Sequence, residues 1–419
     1  MLASQTRASV RIARRSFATV VENAGFKVAA VDSNQPTVSV TFLAKAGSRY
    51  QQKPGVAHAL KNFAFKSTAD RSALGTVRES ELYGGVLSST LSREHLALTA
   101  EFLRGDEKFF VDVLASVIAS TRYTRHEYEE LVLPTMESEI NALHTDPATR
   151  ALELAHALAF RSGLGASLFA SPHTPITVGD VQKFAQTVFA GDIAVLGTGI
   201  SQSTLSSLVS DALSLESRTV PTPAQSQYFG GETRLESYGT PQTLFIGFGA
   251  PGVPSPELST LAAYLDPNPS VKWSRGSSPM LQAEQTSVQA VYLPYSDASL
   301  VGLLIQGPNA QAVTMAGKAA VAALKGSSGV KAEELKSAIA QAKFRTASSV
   351  DGRAGLVEVL GSKVLAGLKE TSVEASLSAF DKVTATSFKN TTAALVKSKP
   401  TFVVIGDTQT LPYAEELGL

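Results

Sequence analysis

The chain carries the same pattern twice, about 200 residues apart, and this excludes a fold built on one undivided core. Ser92-Arg93-Glu94-His95-Leu96 returns 204 residues on as Ser296-Asp297-Ala298-Ser299-Leu300. In each copy an apolar run enters a short polar turn and another leaves it, which reads as an antiparallel hairpin. The surroundings repeat as well. Val38–Ala46 alternates as a strand and is followed by a helical stretch at residues 55–68. Leu244–Ala250 and Pro256–Leu265 supply the second strand and helix. Glu130-Leu131 and Glu334-Leu335 are each expected to open an amphipathic helix. Ile193–Gly197 and Thr401–Gly406 read as closing strands. Strands and helices mixed in this way, with hairpins, give an α+β class built as two homologous halves.

At 419 residues the chain exceeds a single typical core. A stretch poor in apolar residues and carrying Pro221 and Pro223 marks residues 216–227 as a linker. The halves are then 18–215 and 228–419, the second opening with a strand from Tyr228-Phe229-Gly230-Gly231-Glu232-Thr233-Arg234. Residues 1–17 stand apart. Arg7, Arg11, Arg14 and Arg15, with Ser and Thr and no acid before Glu22, have the composition of a mitochondrial transit peptide. Arg15-Ser16-Phe17 ahead of Ala18 fits a cleavage site with arginine near its end.

Composition removes several functions. Lysine plus arginine and aspartate plus glutamate both total 37, so nothing favours nucleic acid as a partner. There is no cysteine, which excludes disulfides, thiolate metal sites and cysteine nucleophiles. No apolar run reaches the roughly 18 residues of a spanning helix, so membrane association is expected only through partners. Nor is there a Gly-x-Ser-x-Gly elbow, and the glycine turns Gly47-Ser48-Arg49 and Gly84-Gly85 lack a phosphate-binding cradle.

Residues 55–68 read Gly-Val-Ala-His58-Ala-Leu-Lys61-Asn62-Phe-Ala-Phe65-Lys-Ser-Thr68. This has the spacing of an inverted zinc-protease motif, H-x-x-E-H, with its chemistry removed. In a working site two histidines one turn apart hold zinc, and the glutamate takes a proton from the metal-bound water. Here Lys61 stands where the base would be and Asn62 where the second ligand would be. With Ala44-Lys45-Ala46-Gly47-Ser48-Arg49 ahead of it and Phe65–Thr68 behind, the segment resembles the pitrilysin-type peptidases. That resemblance implies two α+β halves, each an antiparallel sheet packed with helices, together enclosing a cavity. It also implies a third-ligand glutamate downstream, in Leu131–Glu139, where either Glu137 or Glu139 could serve. His58 is expected to be a helical histidine satisfied by a hydrogen bond, and no catalytic, cofactor-binding or metal residue is assigned.

The second half narrows the resemblance. Val271-Lys272-Trp273-Ser274-Arg275-Gly276-Ser277-Ser278, Gln282, and Val291-Tyr292-Leu293-Pro294-Tyr295-Ser296-Asp297 are similar to the core proteins of the mitochondrial cytochrome b-c1 complex. These core proteins are a degenerate branch of the same family, and the likeness covers essentially the whole mature chain. It implies a non-catalytic subunit without haem, quinone or metal of its own, on the matrix side of the inner membrane. The implied partners are the paralogous core protein 1, cytochrome c1 and cytochrome b, with the iron–sulfur subunit presequence as a further ligand. The alternative is the silent, substrate-recognising subunit of the mitochondrial processing peptidase, which the family equips with a glycine-rich loop. The matching segment, Leu265–Leu281, has one glycine and two early prolines. Trp273, between Lys272 and Arg275, is the expected interface anchor. His95 and His144 are expected at the surface. His144–Pro147 reads as a polar break between two helices, with His156 inside the second.

Overall fold

The computed structural model describes residues 21–23, 26–32, 34–213, 223–268, 278, 286–366 and 372–419. The expected leader, most of the expected linker and the Trp273 loop lie outside these residues.

The first sheet contains β1 (Val21–Asn23), β2 (Phe26–Val31), β3 (Thr37–Ala44), β4 (Val86–Leu91), β5 (Leu96–Leu103) and β6 (Ile193–Thr198), in the order β1-β2-β6-β3-β5-β4. The second contains β7 (Gly231–Glu236), β8 (Gln242–Pro251), β9 (Ser287–Pro294), β10 (Ala298–Gly307) and β11 (Thr401–Gly406), in the order β7-β11-β8-β10-β9. Without β1 the two orders are the same. The sequence repeat is therefore a repeat of topology. In each sheet one neighbouring pair is parallel, β2 with β6 and β7 with β11, and the remaining pairs are antiparallel.

Central strands here are apolar on both faces. Seven of the eight residues of β3 are buried, and all but one of the ten in β10. Strands of that kind need cover on both sides. One face of each sheet is covered by helices of its own half. In the first half Phe42, Phe63, Phe102 and Phe110 fill this layer, with the rings of Phe102 and Phe110 stacked at 4.4 Å. In the second, Ile246, Phe248, Leu303 and Phe388 do the same.

The other face is covered by the opposite half. Helix Pro147–Phe160 starts where the Asp146 carboxylate accepts the Ala148 N–H. Its small residues Ala151, Ala155 and Ala159 recur every four positions and so form one stripe. That stripe lies on Phe245, Leu300, Leu304, Val403 and Ile405 of the second sheet. In return, helix Arg353–Leu365 sets Val364 and Leu365 against Ala29, Leu43 and Leu196 of the first sheet. The two halves have exchanged a helix.

One boundary differs from the sequence reading. Glu334 does sit in the first turn of helix Ala332–Ser349. Glu130 lies within a helix that already starts at Arg125 and runs on through a wide turn at Tyr128–Val132 into Leu133–Thr145. The wide turn ends two residues before Pro134, which has no N–H to give to the preceding turn, so the helix continues past a proline that would otherwise break it.

Candidate functional site

The motif helix, Val56–Phe63, is entered through Gly55 at φ 86°, where a side chain would also strike Ala170 at 2.5 Å. It buries Val56, Ala57, Ala59, Leu60 and Phe63, and with them His58. Helix Leu133–Thr145 runs alongside and supplies Glu139, whereas Glu137 faces solvent. The choice between the two glutamates is thereby made.

Glu139 is held from three sides. Its Oε2 accepts from His58 Nε2 at 2.5 Å and from Asn62 Nδ2 at 3.1 Å, and its Oε1 accepts from Lys61 Nζ at 2.5 Å. His58 Nδ1 accepts the Ala170 N–H at 3.2 Å, so the ring proton sits on Nε2. The edge of Phe169 closes over the ring at 5.5 Å. Burial pushes His58 below its ordinary value, so it is a neutral donor at physiological pH. Burial works against charge on Glu139, but hydrogen bonds from Lys61, His58 and Asn62 prevail and hold the carboxyl below its usual range.

Zinc, which the fold family implies, does not fit these residues. The His58 lone pair that would face it carries a proton, the ammonium of Lys61 lies against the only carboxylate, and Asn62 is a poor substitute for imidazole. Among the described residues no group of three or more His, Asp or Glu side chains converges as a metal site. An ion pair with two supporting hydrogen bonds stands where a cation would be.

A second polar cluster, which the sequence reading missed, lies where the repeated hairpin turns meet. The Arg49 side chain is 3% exposed. Its guanidinium donates to Glu94 Oε1 at 2.7 Å, to Asp297 Oδ1 at 2.8 Å and Oδ2 at 2.6 Å, and to Ser296 Oγ at 3.1 Å. Ser296 gives its N–H and its hydroxyl to Glu94, and Ser226 gives both of its own to Asp297. Burial opposes charge at Asp297, but Arg49 and Ser226 outweigh it and hold the carboxyl low. Gly47 is required beside this cluster because a Cβ there would come within 2.3 Å of the Arg93 carbonyl. The signal was available in the sequence: charged residues occupying both copies of the repeated turn.

His95, expected at the surface, is half-buried instead, because its turn is folded into this joint. His144 is exposed, and His156 lies in the second helix as expected. His156 is buried, donates Nδ1–H to the Leu152 carbonyl and accepts the Tyr295 hydroxyl on Nε2 at 2.7 Å. No described helix is long and apolar enough to cross a membrane.

Comparison with known proteins agrees with this architecture. Residues 27–171 match the model of the insulinase family, peptidase family M16. A protein of Cryptococcus neoformans var. grubii named cytochrome b-c1 complex subunit 2, mitochondrial, is 43% identical, over 99% of this chain and 97% of its own length. The protein of that name from Neurospora crassa is 38% identical over 100% of this chain and 97% of its own. The human one is 25% identical over 94% and 90%.

Proposed function

The chain belongs to the family of mitochondrial cytochrome b-c1 complex subunit 2, and from that premise we propose how it serves the complex: as a structural core subunit of ubiquinol-cytochrome c reductase that supports its assembly and stability and does no bond chemistry of its own. It is a mitochondrial respiratory-chain protein with a peptidase-like fold. Its position is peripheral, on the matrix side of the inner membrane, reached through partner subunits. Those partners are core protein 1, cytochrome c1 and cytochrome b, with the iron–sulfur subunit presequence as a further ligand. Residues 1–17 act as the transit peptide, and 18–215 and 228–419 are the two pitrilysin-like halves joined by 216–227.

The observation that carries the non-catalytic part is the closure of Glu139 by Lys61, His58 and Asn62. A peptidase of this type needs a carboxylate as base at the position of Lys61 and a free ligand set around the cation. The processing-peptidase alternative is not favoured. The relatives carry the name of a b-c1 subunit, and Leu265–Leu281 has a single glycine, Gly276.

Separation of native complexes from mildly solubilised inner membranes tests the reading. The chain is expected to travel with b- and c-type haem in a large assembly. Migration near twice its own 44.0 kDa, free of haem and with presequence-cleaving activity, would overturn it.

A further inference from the structure

We infer that the joint between the two halves is a lock and not a hinge: the Arg49–Glu94–Asp297 cluster and the two exchanged helices give way together or not at all. Three observations combine. First, the exchange is reciprocal. Parting the halves strips helix Pro147–Phe160 from the second sheet and helix Arg353–Leu365 from the first in the same motion. Neither sheet can keep its outer cover while the other loses it.

Second, the ionic cluster draws on both halves and has no stable half-open form. Arg49 and Glu94 come from the first half, and Ser296 and Asp297 from the second. Withdrawing Asp297 leaves a buried guanidinium with one carboxylate and costs Glu94 its two donors from Ser296. Charges left uncompensated in a dry setting are strongly unfavourable, so intermediate separations are avoided.

Third, the cluster and the exchanged helix are tied by neighbouring residues. Arg93, next to Glu94, donates to the carbonyls of Leu164 and Ala166 and to the carboxylate of Glu153 on helix Pro147–Phe160. His156, three positions along the same helix, holds the hydroxyl of Tyr295, next to Ser296. The helix therefore cannot lift without disturbing both turns. A hinge would put its mobility in a linker between two self-sufficient bodies; here the contacts that close one body are made by the other.

Amide hydrogen exchange on the purified full chain tests this, comparing wild type with Asp297→Asn and Ser296→Ala. In Asp297→Asn, protection should fall by the same factor in residues 147–160 and 353–365, on the order of tenfold, while β3 and β10 keep theirs. Ser296→Ala leaves every charge paired, so it stays folded if Asp297→Asn does not. Its loss should be smaller, roughly threefold, and again equal in the two helices. Faster exchange in one helix with the other unchanged would overturn the lock. So would loosening confined to residues 224–226 and 295–297.

Discussion

Restoring the zinc motif by Lys61→Glu with Asn62→His tests whether the frame of the site survives beneath the lost chemistry. Two of the three ligand positions are already adjacent, with His58 Nε2 2.5 Å from Glu139 Oε2. Around zinc, with bonds of about 2.0–2.1 Å and tetrahedral angles, two ligand atoms stand roughly 3.3 Å apart. The pair must therefore open by about 0.8 Å, which a change in the Glu139 side-chain torsions supplies, and the His58 proton must pass from Nε2 to Nδ1 at the expense of the Ala170 N–H bond. Without metal the variant sets a second carboxylate beside Glu139 in place of a cation. Like charges about 4 Å apart repel by about 1 kcal/mol in water and about 4 at a protein surface, and the Lys61 attraction is lost as well, so the metal-free variant should be less stable than wild type by at least that range. Zinc at about a hundredfold its dissociation constant returns about 2.7 kcal/mol. The assay is urea unfolding of the full chain with chelator and with zinc. Wild type should give the same midpoint in both; the variant should start lower and rise with zinc. A zinc-dependent rise in wild type would refute the reading of Lys61 and Asn62. A folded variant indifferent to saturating zinc would refute the claim that the frame is intact.

Three further outcomes follow from the joint and the buried histidines. Arg49→Met keeps the stem but leaves Glu94 and Asp297 without their cation, and should cost about 3–5 kcal/mol in urea unfolding; adding Glu94→Gln and Asp297→Asn should recover much of it. Burial pushes His156 down to about 3, so the unfolded chain takes up a proton near 6.5 that the folded one refuses. His58 and His95 shift the same way. Stability should accordingly be full above pH 6.5 and fall as the pH drops toward 3, with a shallower fall between pH 7 and 5 in His156→Gln; an unchanged slope would count against this assignment. The carboxyls of Glu139 and Asp297, both held low, add a further loss of the same sign, beginning below about 4.5. Gly47→Ala drives a methyl into the Arg93 carbonyl and should lose about 1–3 kcal/mol, measured by the shift in unfolding midpoint.

Much of this was legible in the sequence, and what was not has a physical reason. The hairpin turns at 92–95 and 295–298 and the strands 193–197 and 401–406 could be read because strand periodicity and polar turns are local signals. His58 as a hydrogen-bonded residue followed from the same local reasoning. The choice of Glu139 over Glu137 needed the phase of a helix whose start had been set five residues late, and the wide turn before Pro134 shifts that phase. The destination of helix Pro147–Phe160 was hidden for a different cause. An apolar stripe announces that a helix will be covered and does not say by which sheet. The surface placement of His95 failed in the same manner, since its turn is polar in sequence and is folded in by contacts distant in the chain, Arg93 reaching Glu153, Leu164 and Ala166 and Glu94 reaching Ser296.

The exchange of helices also governs when the fold can be completed. The chain is made from the N-terminus, so every strand of the first sheet is present once Thr198 has emerged. The face formed by Ala29, Leu43 and Leu196 must then wait for residues 353–365, more than 150 positions later. During that interval it presents a greasy surface to whatever is nearby. A chain of this design keeps one sheet face bare until its final sixth is in place, and exposed apolar surface of that kind makes a folding intermediate prone to aggregate.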